Sequence, residues 1–278
     1  MVLTAPAKLN LFLHITGRRP DGYHNLQTIF QFINYCDVLR FKVRTDGQIV
    51  CRSTAENLLP EQDLVDRAAR LLKQFSGTSA GVDISVEKNI PIGGGLGGGS
   101  SDAATTLLAI NHLWKLQLSS EQLAQLGLKL GADVPVFVHG HSAWAEGVGE
   151  YLTPITLEEP WYLVIYPNCQ VSTAEIFSDP ELTRNQLPIT MDTFLAGQSG
   201  NVCEAVVRKR YPAVRDALNW LNQYQPARLT GTGACLFARF ATETQAREVL
   251  KFMPSVWKGF IAQGKNVSPA LTEFSNKF

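Results

Sequence analysis

The chain is 278 residues long, 45% hydrophobic and 18% charged, proportions that describe an ordinary folded protein and exclude a disordered one. Its 25 basic and 25 acidic residues cancel, which excludes the basic field that a nucleic-acid polymer requires but leaves a small nucleotide open as a ligand. No apolar run approaches the ~18 residues of a membrane helix, and Cys36, Cys51, Cys169, Cys203 and Cys235 have the spacing of neither a zinc site nor a disulfide framework.

In chain order, residues 7–16 alternate, with Leu9, Leu11, Leu13 and Ile15 on one face and Lys8, Asn10, Phe12 and His14 on the other. A period of two predicts a strand buried on one face, with Lys8 and Asn10 side by side. Gly17-Arg-Arg-Pro-Asp-Gly22 has turn composition; Tyr23 and His24 follow it, and residues 26–33 predict a second strand. Residues 38–43 and 48–52 predict two more, joined as a hairpin through Thr45-Asp46-Gly47. Asp63 is the predicted N-cap of a helix through Phe75, stopped by Gly77. A strand over 82–86 leads to Pro91-Ile-Gly-Gly-Gly-Leu-Gly-Gly-Gly-Ser-Ser-Asp102, which packs six of the 22 glycines into seven positions. Helices are predicted over 101–113 and from a capping box at Ser119-Ser-Glu-Gln122 to near Gly131. Asp133 then stands at the lip of the apolar run Val134-Pro-Val-Phe-Val138.

The polar segment 153–160 marks the expected domain boundary, giving domains 1–157 and 158–278. Beyond it, strands are predicted over 161–166 and 260–267, helices over 212–221 and 244–252, and short pieces at 179–182 and 192–195. A second small-residue loop, Arg228-Leu-Thr-Gly-Thr-Gly-Ala-Cys-Leu-Phe237, feeds another strand. Strands and helices mix without regular alternation, which predicts an α+β fold. The first residues lack the basic-then-apolar order of a targeting segment. With reduced thiols the default, a cytoplasmic protein without membrane contacts is expected. Whether it works alone or as a homodimer is open.

The glycine stretch suits a polyphosphate. Its backbone can turn sharply and aim several N–H groups at one spot, and the helix start adds donors and the positive end of its dipole. A side chain at Gly95 would take the space of a phosphate oxygen. A flexible linker would not carry a central Leu and run into Ala-Ala-Thr-Thr-Leu-Leu. Of the known phosphate loops, the P-loop fails, because aligning Gly94 and Gly99 puts Ser100 where Lys must stand. Gly93, Gly95 and Gly98 match the dinucleotide fingerprint literally, but that fold needs a strand bearing an acidic residue ~20 positions on, where a second helix is predicted. A protein-kinase loop requires His-Arg-Asp and Asp-Phe-Gly segments; neither occurs.

Residues 91–101 resemble the second motif of the GHMP kinases, the galactose, homoserine, mevalonate and phosphomevalonate kinase superfamily. Ala5-Pro-Ala-Lys8-Leu-Asn10 resembles the first motif, and Leu229-Thr-Gly-Thr-Gly-Ala-Cys235 the third. Three motifs in order make the resemblance specific; it covers nearly the whole chain and thins over 192–207. Gly17-x-Arg19-x-Asp21-Gly22-Tyr23-His24, Leu130-Gly-Ala-Asp133-Val-Pro-Val-Phe137 and Glu146-Gly-Val-Gly149 are similar to those members whose acceptor carries a cytidine diphosphate group. The resemblance implies a two-domain GHMP kinase fold, with an N-terminal nucleotide-binding domain and a C-terminal α/β substrate domain. It implies ATP as phosphoryl donor, arriving with Mg²⁺, whose protein ligands stay unassigned.

By the same resemblance, Pro91, Ile92, Gly93, Gly94, Gly95, Leu96, Gly97, Gly98, Gly99, Ser100 and Ser101 hold ATP. Asp133 takes the proton of the acceptor hydroxyl, and Lys8 stabilises charge on the γ-phosphoryl group. The residues agree: a carboxylate beside an apolar run is partly desolvated, and Lys8 is the cation to hold it ionised. The competing roles are a helix-capping carboxylate for Asp133 and an exposed strand lysine for Lys8. Asn10 would bind substrate or orient the base, or be a satisfied core amide. One of Ser100 and Ser101 could instead cap the helix. Tyr23 and His24 would flank and hydrogen-bond the cytosine, with Phe177 stacking on its other side, unless Phe177 is core behind Ile176. Thr173 and Val148 would line the same groove. His139-Gly-His141 reads as a turn rather than a metal site. Two alternatives stay open: a GHMP kinase for a smaller alcohol, of homoserine or mevalonate type, and a nucleotide-binding regulator without catalysis.

Overall fold

The computed structural model describes residues 1–20, 22–54 and 63–277, the last three by backbone only; Asp21 of the predicted turn motif lies outside the described residues. Strand β1 (Val2–Arg18) runs through three hydrophobic clusters. Leu3 and Ala5 belong to the first, Ala7, Leu9, Leu11 and Phe12 to a central one, and Leu13 and Ile15 to the third. It is therefore buried on both faces, not on one as the alternation predicts. The alternation itself breaks at a register shift between Asn10 and Leu13, which brings the neighbours Leu11 and Phe12 into one cluster.

Strand β2 (His24–Arg44) is one continuous strand of 21 residues, where two strands were predicted. A shift in its ladder with β1, between the pairs Pro6–Cys36 and Ala7–Ile33, absorbs the polar residues that looked like a break. The predicted hairpin through Thr45-Asp46-Gly47 does not form. Strand β3 (Ile49–Ser53) is separated from β2 by β4 (Gly81–Glu87), which is antiparallel to β2 and parallel to β3. Lys73 donates to the Gly47 and Ala80 carbonyls, so the turn is tied to the helix before β4 instead of to a strand partner.

That helix, α1 (Leu64–Ser76), is capped as predicted by the Asp63 carboxylate on Val65 N–H and by left-handed Gly77. The glycine stretch enters α2 (Gly98–Leu113), with Gly97 at the N-cap position; neither Ser100 nor Ser101 caps it. Helix α3 (Ser120–Leu128) has the predicted capping box. The apolar run after Asp133 is the short helix α4 (Val134–His139), and Gly140 is its left-handed C-cap, so His139 and His141 flank a turn. Strands β5 (Ala143–Gly147) and β6 (Tyr151–Pro154) extend the sheet from β2.

The second half comprises β7 (Trp161–Tyr166), α5 (Thr173–Ser178), α6 (Met191–Leu195), α7 (Glu204–Arg210), α8 (Pro212–Leu221), β8 (Ala227–Leu229), β9 (Leu236–Phe240), α9 (Glu243–Leu250), β10 (Lys258–Lys265) and α10 (Pro269–Lys277). Strand β10 pairs with β7 over Lys258–Gln263 and with β2 at Gly264–Ile33 and Lys265–Phe32. This joins the halves in one sheet of order β3-β4-β2-β10-β7-β9-β8, and α10 then packs on β1. Among the described strands every pairing is antiparallel except β3–β4. The α+β class holds. None of the helices among the described residues is long and apolar enough to cross a membrane.

Candidate active site

Backbone and side-chain bonds draw the three motif segments to one point. Lys8 N–H donates to the Leu96 carbonyl at 3.0 Å and Cys235 N–H to the Gly94 carbonyl at 3.0 Å. Thr230 Oγ1 accepts from Asn10 N–H at 3.0 Å and donates to the Gly95 carbonyl at 3.2 Å. Leu96, the apolar residue inside the glycine stretch, is buried in the central cluster with Leu9 and Cys235. One buried leucine contributes about 2 kcal/mol, enough to make the loop part of the core and not a linker. Asn201, in the stretch 192–207 where the resemblance thins, holds the third motif by donating to the Leu229 and Gly231 carbonyls at 2.9 and 2.7 Å.

Lys8 is 3% exposed, so it is not a surface strand lysine. An uncompensated charge at that depth costs several kcal/mol, and the surroundings compensate it. Its Nζ meets Asn10 Oδ1 at 2.5 Å, the Gly95 carbonyl at 3.3 Å and Asp133 Oδ2 at 3.2 Å, three acceptors for the three protons of an ammonium. The Phe30 ring lies 5.2 Å from the same nitrogen. Asp133 occupies the N-cap position of α4 but makes no capping hydrogen bond. Its carboxylate, 34% exposed, faces the cleft and Lys8. Asn10 spends its amide on Lys8 and on Thr28 Oγ1 at 3.0 Å, and Thr28 in turn donates to the Phe12 carbonyl.

Two clefts share the glycine loop as a wall. One, of about 340 Å³, is lined by residues 90–100 with Ser53, Asp63, Leu64, Val65, Val86, Lys88 and Asp102. The other, of about 600 Å³, contains Lys8, Asn10, Asp133, Tyr23, His24, Val148, Thr173 and Phe177. Gly95, Gly97 and Ser100 line both. Ser101 is fully buried, and its Oγ has no hydrogen-bond partner among the described residues.

Several of these glycines are required by the protein's own packing. At Gly95, with φ +75°, a Cβ would lie 2.3 Å from the Thr230 carbonyl oxygen, and at Gly97, with φ +72°, 2.8 Å from Phe137. The expectation that a Gly95 side chain displaces a phosphate oxygen is therefore corrected: it would first strike the third motif.

At the far end of the larger cleft Tyr23 is 63% exposed, after a turn closed by Arg19 N–H on the Tyr23 carbonyl at 2.7 Å. Phe177 is half-buried beside the buried Ile176. Its ring stacks on His24, with centroids 5.3 Å apart and planes 20° from parallel. A base held between these two rings would need them roughly 7 Å apart, two van der Waals spacings, so the stacked pair leaves no room for one between its rings. Thr173 Oγ1 lies 2.8 Å from Thr232 Oγ1, joining α5 to the third motif.

Two polar groups here escaped sequence reasoning. Lys88 bridges Asp37 and Asp102, the latter at 2.6 Å, and Asp37 Oδ1 accepts from the N–H groups of Asn89 and Ile90 at 2.5 and 2.8 Å. The trio anchors the entry to the glycine loop. Burial pushes the Asp102 carboxyl up to about 8, against the pull of Lys88. The second group is Arg184, which donates to His24 Nε2 at 3.1 Å. Pairings between residues 14 to 160 positions apart leave no periodic signal.

Sequence and fold both match known proteins. The family model for the GHMP kinase N-terminal domain matches residues 63–141, and that for the GHMP kinase C-terminal domain matches residues 187–259. A 4-diphosphocytidyl-2-C-methyl-D-erythritol kinase of Nitrosococcus oceani is 60% identical over 95% of this chain and 94% of its own. A crystal structure of a 4-(cytidine 5'-diphospho)-2C-methyl-D-erythritol kinase shares the fold with a TM-score of 0.82, at 31% identity over 95% of this chain and 99% of that one. Methanococcus jannaschii mevalonate kinase, 17% identical over 96% and 98% of the two chains with a TM-score of 0.71, shares the fold alone. The chain belongs to the GHMP kinases and, within them, to the 4-diphosphocytidyl-2-C-methyl-D-erythritol kinase family.

Proposed function

We propose that the protein transfers the γ-phosphoryl group of ATP to the 2-hydroxyl of 4-diphosphocytidyl-2-C-methyl-D-erythritol, giving the 2-phosphate and ADP, a step of non-mevalonate isoprenoid precursor synthesis. The observation that carries this reading is the shared wall. The glycine loop borders a nucleotide cleft on one side, and on the other a larger cleft that contains the Lys8–Asp133 pair, Tyr23 and the His24–Phe177 stack. Residues 91–101 and the start of α2 would hold the phosphates by backbone N–H groups. Asp133 accepts the hydroxyl proton, and Lys8, 3.2 Å from its carboxylate, stabilises the charge on the moving phosphoryl group. We take residues 1–157 as the nucleotide-binding domain and 158–278 as the substrate domain, a division supported by two hydrophobic clusters each drawn mainly from one half, with β1 and the central cluster bridging them.

Mg²⁺, when bound with ATP, would neutralise phosphate charge. The donor set suits an ion held mainly by the nucleotide: no group of three His, Cys, Asp or Glu side chains forms a cage among the described residues, and Asp133 and Ser100 offer hard oxygens in the cleft. The five free thiols support a cytoplasmic setting.

A kinase for a smaller alcohol would have no use for the aromatic end of the cleft. A regulator without catalysis would need neither the buried lysine nor its carboxylate. ADP release measured with the cytidine diphosphate substrate, galactose, homoserine and mevalonate side by side tests the proposal. Turnover confined to the first is expected; equal or greater turnover of a small alcohol would overturn it.

A further inference from the structure

Arg184 has no part in the chemistry above, yet it spends its donors on the substrate end of the cleft. Nε donates to His24 Nε2 at 3.1 Å, Nη1 to the Leu182 carbonyl at 3.0 Å, and Nη2 to the Phe177 and Asp179 carbonyls, both at 2.8 Å. A guanidinium has donors only and does not give up its proton in a protein. His24 Nε2 therefore meets it as a lone pair, and the single proton of the neutral ring sits on Nδ1. Burial first, then the charges of Arg184 and Arg18, lower the His24 pKa and keep the ring neutral. The same guanidinium grips the end of α5, from which Phe177 stacks on the His24 ring. One side chain thus holds both the tautomer of the histidine and the aromatic that backs it.

We infer that Arg184 is a positioning residue that locks His24 in the Nδ1–H form, making the base subsite a fixed hydrogen-bond donor that selects cytosine over uracil. This rests on the cytidine acceptor proposed above. Cytosine offers acceptors at O2 and N3, whereas uracil carries a proton on N3 and would set donor against donor. A histidine free to exchange tautomers could accept that N–H, so the histidine by itself would discriminate poorly. The guanidinium supplies the discrimination.

The tautomer is read directly by long-range ¹H–¹⁵N correlation on histidine-labelled protein without nucleotide, His24 being assigned by loss of its signals in His24→Gln. The wild-type chain should show His24 as Nδ1–H, and Arg184→Met should shift it toward the Nε2–H form that unconstrained histidine favours. A wild-type Nε2–H form, or a tautomer unchanged in Arg184→Met, overturns the lock. In steady-state assays Arg184→Met should raise KM for the cytidine acceptor roughly tenfold or more and reduce the preference over its uridine analogue by a similar factor, with KM for ATP unchanged. An equal rise for ATP, or an unchanged preference, overturns the base selection. A wild-type chain that turns over neither acceptor would fail the proposed function, and the base selection with it, while the spectrum still judges the lock separately. If Arg184→Met does not fold, the wild-type spectrum decides, since an Nε2–H form there is incompatible with the proposal.

Discussion

Lys8 Nζ lies 3.2 Å from Asp133 Oδ2, across a gap of 125 positions in the chain, and the two differ sharply in access. The lysine is buried, whereas a third of the carboxylate side chain is open to the cleft. The cation is thus shielded from competing ions while the carboxylate can reach a hydroxyl. Asp133→Asn keeps the shape and an oxygen beside Lys8 but removes the base. Turnover should fall by about 10²–10⁴-fold with KM for ATP little changed. Steady-state kinetics check this, and retained turnover would sink the assignment.

Tyr23 should act on binding rather than on chemistry. It is exposed, so Tyr23→Ala leaves the core intact. Loss of one base-stacking face, ~1–3 kcal/mol, raises KM for the cytidine substrate by about 5- to 150-fold with kcat and KM for ATP nearly unchanged. An equal effect on both substrates would show that the base sits elsewhere.

Two glycines of the loop should respond differently to the same substitution. Both have positive φ, +69° at Gly93 and +75° at Gly95, so alanine costs each about 1–2 kcal/mol in backbone strain. At Gly93 the nearest atom to an added Cβ is 3.8 Å away, on Gln170. At Gly95 it is the Thr230 carbonyl oxygen at 2.3 Å, with the Gly233 oxygen at 3.0 Å. Backbone cannot yield as a side-chain tip can. Gly95→Ala should therefore lower the melting temperature clearly more than Gly93→Ala, and equal shifts in thermal melts would contradict the packing argument.

What was legible in the sequence were local features and motif chemistry. The Asp63 and Ser119 caps, the left-handed Gly77 and the side-by-side Lys8 and Asn10 follow from neighbours within a few positions. The failures share a cause. The bulges that merge residues 24–44 into one strand, the insertion of β4 beside β2 in place of the expected hairpin, and the burial of β1 on both faces are all decided by distant segments. The same holds in the site. Arg184 and the Lys88–Asp37–Asp102 trio carry no pattern of their own, and only the fold brings their partners within reach.

That trio makes a prediction about pH. Burial, with the Asp37 charge beside it, raises the Asp102 carboxyl from its ordinary 3.8 to about 8, although Lys88 pulls the other way. In the unfolded chain the group ionises near the ordinary value, so over the interval between the two the native state holds a proton that the unfolded state has released. The contribution to stability is complete below the unfolded value and is lost as the pH rises through the folded one. Asp102→Asn keeps the shape and removes the titration. Its stability relative to the wild-type chain should increase with pH across that window, by up to about 1.4 kcal/mol per pH unit. Urea unfolding of both chains at several pH values between about 5 and about 8 measures the difference. A difference that stays flat would mean that Asp102 is ionised throughout, with Lys88 balancing two buried carboxylates at the mouth of the glycine loop.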